Sequence, residues 1–178
     1  MAVYQILNDD HEVLRMTAKP IPRINDGVIR LLDNLKDTLT ETQKGVGIAA
    51  PQIGISKRAF IIDFVDIDEE EVEEHYSYEM INPVISEMSG LEEAWEGCLS
   101  IFGVEGLIPR AYKLKVAYTD REGVERELEA EGYLARIIQH EYDHLDGVLF
   151  VDRATEYRDI TQKTEGEEDL PAQEEEDG

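Results

Sequence analysis

His140-Glu141-Tyr142-Asp143-His144 is the stretch from which the rest of the chain is read. On an α-helix, residues four apart lie about 40° apart around the axis, so both imidazoles project from one face. Two neutral imidazoles at that spacing can close on one divalent metal, and the Glu between them is placed to handle a proton from metal-bound water. Leu134, Ile137, Ile138 and Leu145 supply an apolar stripe around the motif, with Gly132 before it and Gly147 after it. An ordinary amphipathic helix carrying two histidines would read the same way. A third ligand has to come from elsewhere in the chain.

Upstream, Trp95-Glu96-Gly97-Cys98-Leu99-Ser100 holds the only cysteine. Alone, such a cysteine reads as a small buried hydrophobe. Beside the two histidines it becomes the third ligand, because a thiolate and two imidazoles satisfy a divalent metal and leave one position open, as in catalytic sites. A metal would also hold Cys98 as thiolate despite burial. Further upstream, Gly45-Val46-Gly47-Ile48-Ala49-Ala50-Pro51-Gln52-Ile53-Gly54 is built of small residues that allow close approach of another chain or ligand. It lacks the glycine spacing and the Gly-Lys-Ser/Thr ending of a phosphate cradle.

The remaining segments read as scaffold. Tyr4 to Asp10 is a short extended piece, and Lys19 to Pro22 cannot be helix interior. Asn25 or Asp26 caps a helix to about Thr42, with Val28, Leu31, Leu32, Leu35 and Leu39 at helical spacing. Arg58 to Val65 has the composition of a buried strand, and Asp66 to Glu74 reads as an exposed loop insert. Met80 to Ile85 is a strand interrupted by Asn82-Pro83, which suggests an edge or a bulge. Leu114 to Thr119, a turn at 120–123 and Val124 to Ala130 make a hairpin. Val148 to Val151 is a short apolar continuation after the motif helix. Strands early and a helix late, without regular βαβ alternation, point to an α+β domain.

A chain of 178 residues suits one domain. The catalytic domain is expected over 1–155, followed over 156–178 by an acidic tail expected to be disordered. The formal net charge is −24, but Asp66 to Glu79 and Glu165 to Gly178 each hold eight acids and no Lys or Arg, leaving −8 for the body. That balance argues against nucleic-acid binding, which needs a basic patch. No apolar run reaches the length of a membrane span, no secretory leader is visible at Met1 to Asp10, and a single cysteine excludes an internal disulfide. A cytoplasmic protein is expected.

Gly45 to Gly54, Glu96 to Ser100 and His140 to His144 together resemble the three signature motifs of the peptide deformylases, in the same order and at similar separations. The resemblance runs from about Tyr4 to Arg153. It implies mixed or antiparallel sheets around a central metal-binding helix, and hydrolysis of the N-formyl group of N-formyl-Met nascent peptides to release formate. It implies Cys98, His140 and His144 as metal ligands, Fe²⁺ as the native ion with Zn²⁺, Ni²⁺ or Co²⁺ able to replace it, and Glu141 as general acid/base. Gln52 and the backbone N–H of Leu99 would bind the formyl oxygen. Gly47 would take the peptide as an added strand, with Gly45, Val46, Ile48, Glu96 and Gly97 also on the substrate. Asp143 could pair with Arg110 behind the site, while Ile48, Ile137 and Tyr133 could line a methionine pocket or equally be plain core. Glu96 could hold a peptide N–H or buttress the Cys98 loop.

The chain departs from the family in three places. Phe102 stands where Pro is common, Glu105 falls near a position basic in some members, and the end of the chain is acidic where some members carry a basic helix that docks on the ribosome. Transient ribosome contact, if it occurs, would not use the C-terminus. Among other readings, a metallopeptidase would take a downstream His or Glu as third ligand, and the downstream region has Glu156 but no His. A purely structural metal would need a fourth ligand, and His11 and His75 have no partner at ligand spacing.

Overall fold

The apolar run that follows Arg58 is buried on both faces because it becomes an inner strand of a five-stranded antiparallel sheet. The computed structural model describes residues 2–161. The sheet consists of β1 (Gly47–Ala49), β2 (Ala59–Ile67), β3 (Glu73–Ser89), β6 (Lys113–Thr119) and β7 (Glu125–Glu131), in that spatial order. A second antiparallel sheet has β5 (Ile101–Arg110) between β4 (Glu92–Cys98) and β8 (Glu156–Asp159). Among the described residues, α1 (Asp26–Thr42) and α2 (Gly132–Leu145) complete an α+β architecture.

Strand alternation sends β2 side chains to two different cores. Ala59 and Ile61 join Ile48, Ile81 and the α1 residues Leu31, Leu32 and Leu35. Phe60 and Ile62 join Met80, Leu114, Val116 and the α2 residues Ile137, Ile138 and Leu145. A third, smaller cluster of Ile101, Ile108, Leu149 and Phe150 sits under the second sheet. The motif helix is thus held from below by the large sheet and flanked by β4 and β5.

Local chemistry explains most element ends. Asn25 accepts from the Val28 N–H at 3.0 Å and starts α1 where the sequence places it. Asn82-Pro83 marks a bulge, since pairing of β3 with β6 slips between Ile81 and Val84. It is not an edge: β3 lies between β2 and β6. Asn82 tolerates its left-handed φ of 50°, and its side chain clamps the Ile21 backbone at 2.8 Å through both amide atoms. Past the end of α2, Gly147 is required, because a Cβ there would lie 2.5 Å from the Arg15 carbonyl oxygen.

Two expectations need correction. Asp66 to Glu74 is not a loop insert: Asp66 pairs with Glu74 and Ile67 with Glu73, so the β2–β3 ladder runs into the acidic stretch and turns at residues 68–72. Tyr4 to Asp10 needs no correction: it is an unpaired segment ending in a turn, tied down by the Leu7 N–H, which donates to the Gln52 carbonyl at 2.8 Å. The domain does not end at residue 155, because Glu156–Asp159 pairs with Val104 to Leu107 as β8. The rest of the expected tail, 162–178, lies outside the described residues.

Candidate active site

Cys98 closes β4, and the pairing of β4 with β5 shifts register between Glu96 and Cys98. That irregularity lets Gly97 step out of the ladder and turns the thiol toward α2. On α2, His140 and His144 lie one turn apart with ring centroids 5.1 Å from each other. One ligand atom from each of Cys98, His140 and His144 falls within 4.8 Å of the others, and this is the only such group among the described residues. The Cys98 sulfur lies 3.4 Å from His144 Nε2.

The surroundings of these three groups fit a divalent cation. His140 Nδ1 is committed to Glu96 Oε1 at 2.9 Å, which leaves the other ring nitrogen for a metal. Burial, with His140 and Arg110 nearby, pushes His144 well below the usual imidazole range, so it is a neutral donor. For His140 burial acts in the same direction, but the Cys98 sulfur and Glu96 outweigh it and hold the ring above its ordinary value. A cation entering the site would displace that proton. Glu141, beside the ligands, has a buried Oε1 with no hydrogen-bond partner. Its burial raises the carboxyl to about 7, against the pull of His140 and Arg110.

Glu96 is the centre of a charge network. Arg110 holds it through a two-pronged contact, Nε to Oε2 at 2.6 Å and Nη2 to Oε1 at 2.9 Å. Arg136 Nη1 donates to Oε2 at 2.6 Å. Burial would raise the Glu96 carboxyl, yet the His140 and Arg110 hydrogen bonds and charges prevail and hold it at about 2. Arg110 also donates to Asp143 at 3.0 Å, the pairing expected from the sequence. Arg136 escaped the sequence reading, although its position four residues before His140 on the helix was a usable signal.

Gln52 is placed by the tight turn that follows β1. Its Oε1 accepts from the Ala49 N–H at 2.9 Å, and Nε2 points toward Ser100 Oγ at 3.2 Å and the Cys98 sulfur at 3.7 Å. An open cavity of about 490 Å³ begins here, lined by Gly45, Val46, Gly47, Glu96, Gly97, Leu99, Tyr133 and Ile137 among others. Ile48 does not line it. That residue is fully buried against the α1 side of the sheet, so it is core and not pocket. Glu96 reaches the wall, but its carboxylate is spent on Arg110, Arg136 and His140 and has no role left for a peptide N–H.

Several other candidates fall away. Glu156 is exposed on β8, His11 caps a short 3-10 turn, and His75 pairs with Asp63 at 2.7 Å. Phe102 is 92% exposed. Glu105 lines the cavity and is paired with Arg158, whose guanidinium lies 4.2 Å from the centre of the Trp95 ring.

The sequence model of one family, described as polypeptide deformylase, matches residues 3–159. The chain belongs to that family. The peptide deformylase of Pelotomaculum thermopropionicum is 46% identical over 163 residues, covering 92% of this chain and 99% of the relative. The crystal structure of the Thermus thermophilus peptide deformylase is 42% identical with a TM-score of 0.76, over 94% of this chain and 91% of that one. An Acinetobacter baumannii deformylase with Met-Ala-Ser bound is 35% identical with a TM-score of 0.78, over 85% of this chain and 98% of that one. As a peptide deformylase, the chain is a hydrolase that removes the N-formyl group from the N-terminal formyl-Met of newly made polypeptides and releases formate.

Proposed function

We propose that Cys98, His140 and His144 hold the catalytic ion of this deformylase, with Glu141 as general acid/base and Gln52 and the Leu99 N–H as donors to the formyl oxygen. The observation that carries this reading is the convergence of the three ligand atoms within 4.8 Å, beside a buried and unpartnered Glu141 oxygen. A divalent cation held there would polarise oxygen and make a water molecule acidic enough to lose a proton near neutrality. A thiolate with two imidazoles suits Fe²⁺, Zn²⁺, Ni²⁺ and Co²⁺, and likeness to the family favours Fe²⁺ as the native ion.

The chain's own residues do the rest. A carboxyl raised to about 7 by burial is matched to proton transfer near neutrality, so Glu141 can take the proton of the attacking water. As the C–N bond breaks, the same carboxyl returns the proton to the departing amine and formate leaves. Charge that develops on the formyl oxygen meets the Gln52 amide and the Leu99 N–H, fixed before the reaction starts.

The peptide is held along β1. Among the described residues that strand pairs only with β2, so its other edge is free, and Val46 already gives its carbonyl to the Asp63 N–H at 2.9 Å. Alternation then directs the Gly47 N–H and C=O away from β2, where a substrate strand can add. Tyr133 and Ile137 give the cavity apolar wall for the methionine side chain.

The enzyme works in the cytoplasm on nascent chains, and ribosome contact, where made, does not use the acidic C-terminus. Among the described residues no helix is long and apolar enough to cross a membrane. The deciding experiment measures formate release from an N-formyl-Met peptide by protein prepared anaerobically with Fe²⁺, beside the Glu141→Ala variant. Strong wild-type activity is expected, falling by about 10²–10⁴ in the variant with metal retained. A metal-loaded wild type that releases no formate refutes the assignment.

A further inference from the structure

Behind the metal ligands, a line of charged side chains runs to the protein surface. His140 Nδ1 meets Glu96 Oε1 at 2.9 Å, and Glu96 is gripped on both oxygens by Arg110. Arg110 Nη1 crosses to Asp143 Oδ2 at 3.0 Å. Arg153 then closes on both oxygens of Asp143, Nε to Oδ2 at 2.7 Å and Nη2 to Oδ1 at 2.9 Å. Glu96, Arg110 and Asp143 are buried, whereas the Arg153 side chain is 48% exposed. No contact along the line exceeds 3.0 Å.

We propose that Arg153 is a positioning residue for the metal ligand His140, acting through Asp143, Arg110 and Glu96. This rests on the reading of Cys98, His140 and His144 as metal ligands. Arg110 is shared between two buried carboxylates, and its place between them depends on how well each is otherwise satisfied. The planar fork of Arg153 supplies both Asp143 oxygens with a donor and a matching charge. Without it, Oδ1 loses the Arg153 donor and Asp143 draws harder on Arg110. Arg110 moves toward Asp143, its grip on Glu96 loosens, and the carboxylate that orients the His140 ring drifts. Carboxylates in that outer position typically govern metal affinity by about 10–100-fold.

A plain tether would look similar, because Arg153 follows the 3-10 turn Phe150–Asp152 and could simply pin it. That turn has separate anchors, however. Phe150 is buried in the small core, and Asp152 pairs with Arg15 and accepts from the Leu149 N–H at 3.0 Å. Breaking the Arg15 contact loosens the same turn and leaves Asp143 untouched.

The test compares the full-length wild type with Arg153→Met, Arg153→Lys and Arg15→Ala. It reads Zn²⁺ affinity by chelator competition and the visible absorption of the Co²⁺-loaded proteins, which reports ligand geometry. Arg153→Met should lose about 10–100-fold in Zn²⁺ affinity and shift the Co²⁺ bands, with Arg153→Lys in between and Arg15→Ala unchanged. Wild-type affinity in Arg153→Met, or an equal loss in Arg15→Ala, overturns the proposal. Should Arg153→Met fail to fold cooperatively, Arg153→Lys decides, and behaviour identical to wild type overturns the role of the fork. A wild type that binds neither ion refutes instead the metal-site reading underneath.

Discussion

Gly47 faces Glu141 so closely that a Cβ on it would lie 2.9 Å from Oε2 and 3.1 Å from both Cδ and Cγ. The glycine of β1 is therefore part of how the carboxylate is placed, apart from any backbone contact to substrate. Glu141 is buried beside the cavity, so an added methyl would push its carboxylate off its present position and toward that open space. Gly47→Ala should displace the carboxylate by a few tenths of an ångström or more and lower kcat by about 10–100-fold. Metal content should stay at the wild-type level, because the atoms nearest the added methyl all belong to Glu141 and not to the three ligands. Steady-state kinetics with metal analysis checks this, and an unchanged kcat refutes it.

Gln52 has two jobs that one substitution removes together. Its carbonyl satisfies the buried Ala49 N–H, and its amide points into the site. Gln52→Leu should lower kcat by about 10²–10³ through the lost oxyanion donor. It should also destabilise the fold by about 1–3 kcal/mol, because a buried N–H loses its acceptor. Denaturant titration and formate release separate the two effects. Loss of stability with kcat intact would leave Gln52 a purely structural residue.

How far the sequence could be read depended on how local the determinants were. The α1 cap at Asn25, the apolar run of β2, the β6–β7 hairpin and the motif helix are each written in consecutive residues, and each forms close to its expected position. The second sheet is not written that way. In β4 and β5, glycines and charged residues break the alternation, and Pro109 sits inside β5, paired with Glu93 of β4 and beyond the reach of β8. Glu96 looks like a surface acid until Arg110, Arg136 and His140 converge on it from later segments. Ile48 is the opposite case, open between pocket and core in the sequence and core in the structure. Within a motif of functional residues, its alternation toward the α1 core was the simpler signal.

Acid should unfold the protein through Glu96. Its carboxyl is at about 2 in the folded chain against an ordinary value near 4.5, so the folded state favours the ionised form. The stabilisation is fully present above about pH 4.5 and is lost as pH falls toward 2. The shift corresponds to a difference on the order of 3 kcal/mol. Glu96→Gln should therefore be less stable than wild type at pH 6 by a few kcal/mol, with the gap closing between about pH 4.5 and 2. Denaturant midpoints across that range check it, and a gap that does not change with pH would assign the loss to packing alone.

The strand beyond residue 155 offers a last check on where the domain stops. Glu156–Asp159 is exposed along its length, yet it covers one edge of β5 and brings Arg158 to Glu105 and onto the Trp95 ring at the cavity mouth. Its contribution comes from cross-strand pairs and one cation–π contact, each worth only about 0.2–1 kcal/mol. A chain truncated after Thr155 should thus be about 1–2 kcal/mol less stable than one truncated after Thr161, which keeps β8. Because Trp95 and Glu105 line the cavity, the shorter form should also raise KM for peptides that extend past the formyl-Met and leave KM for N-formyl-Met alone unchanged. Equal stability and equal KM in the two truncated forms would return the boundary to residue 155.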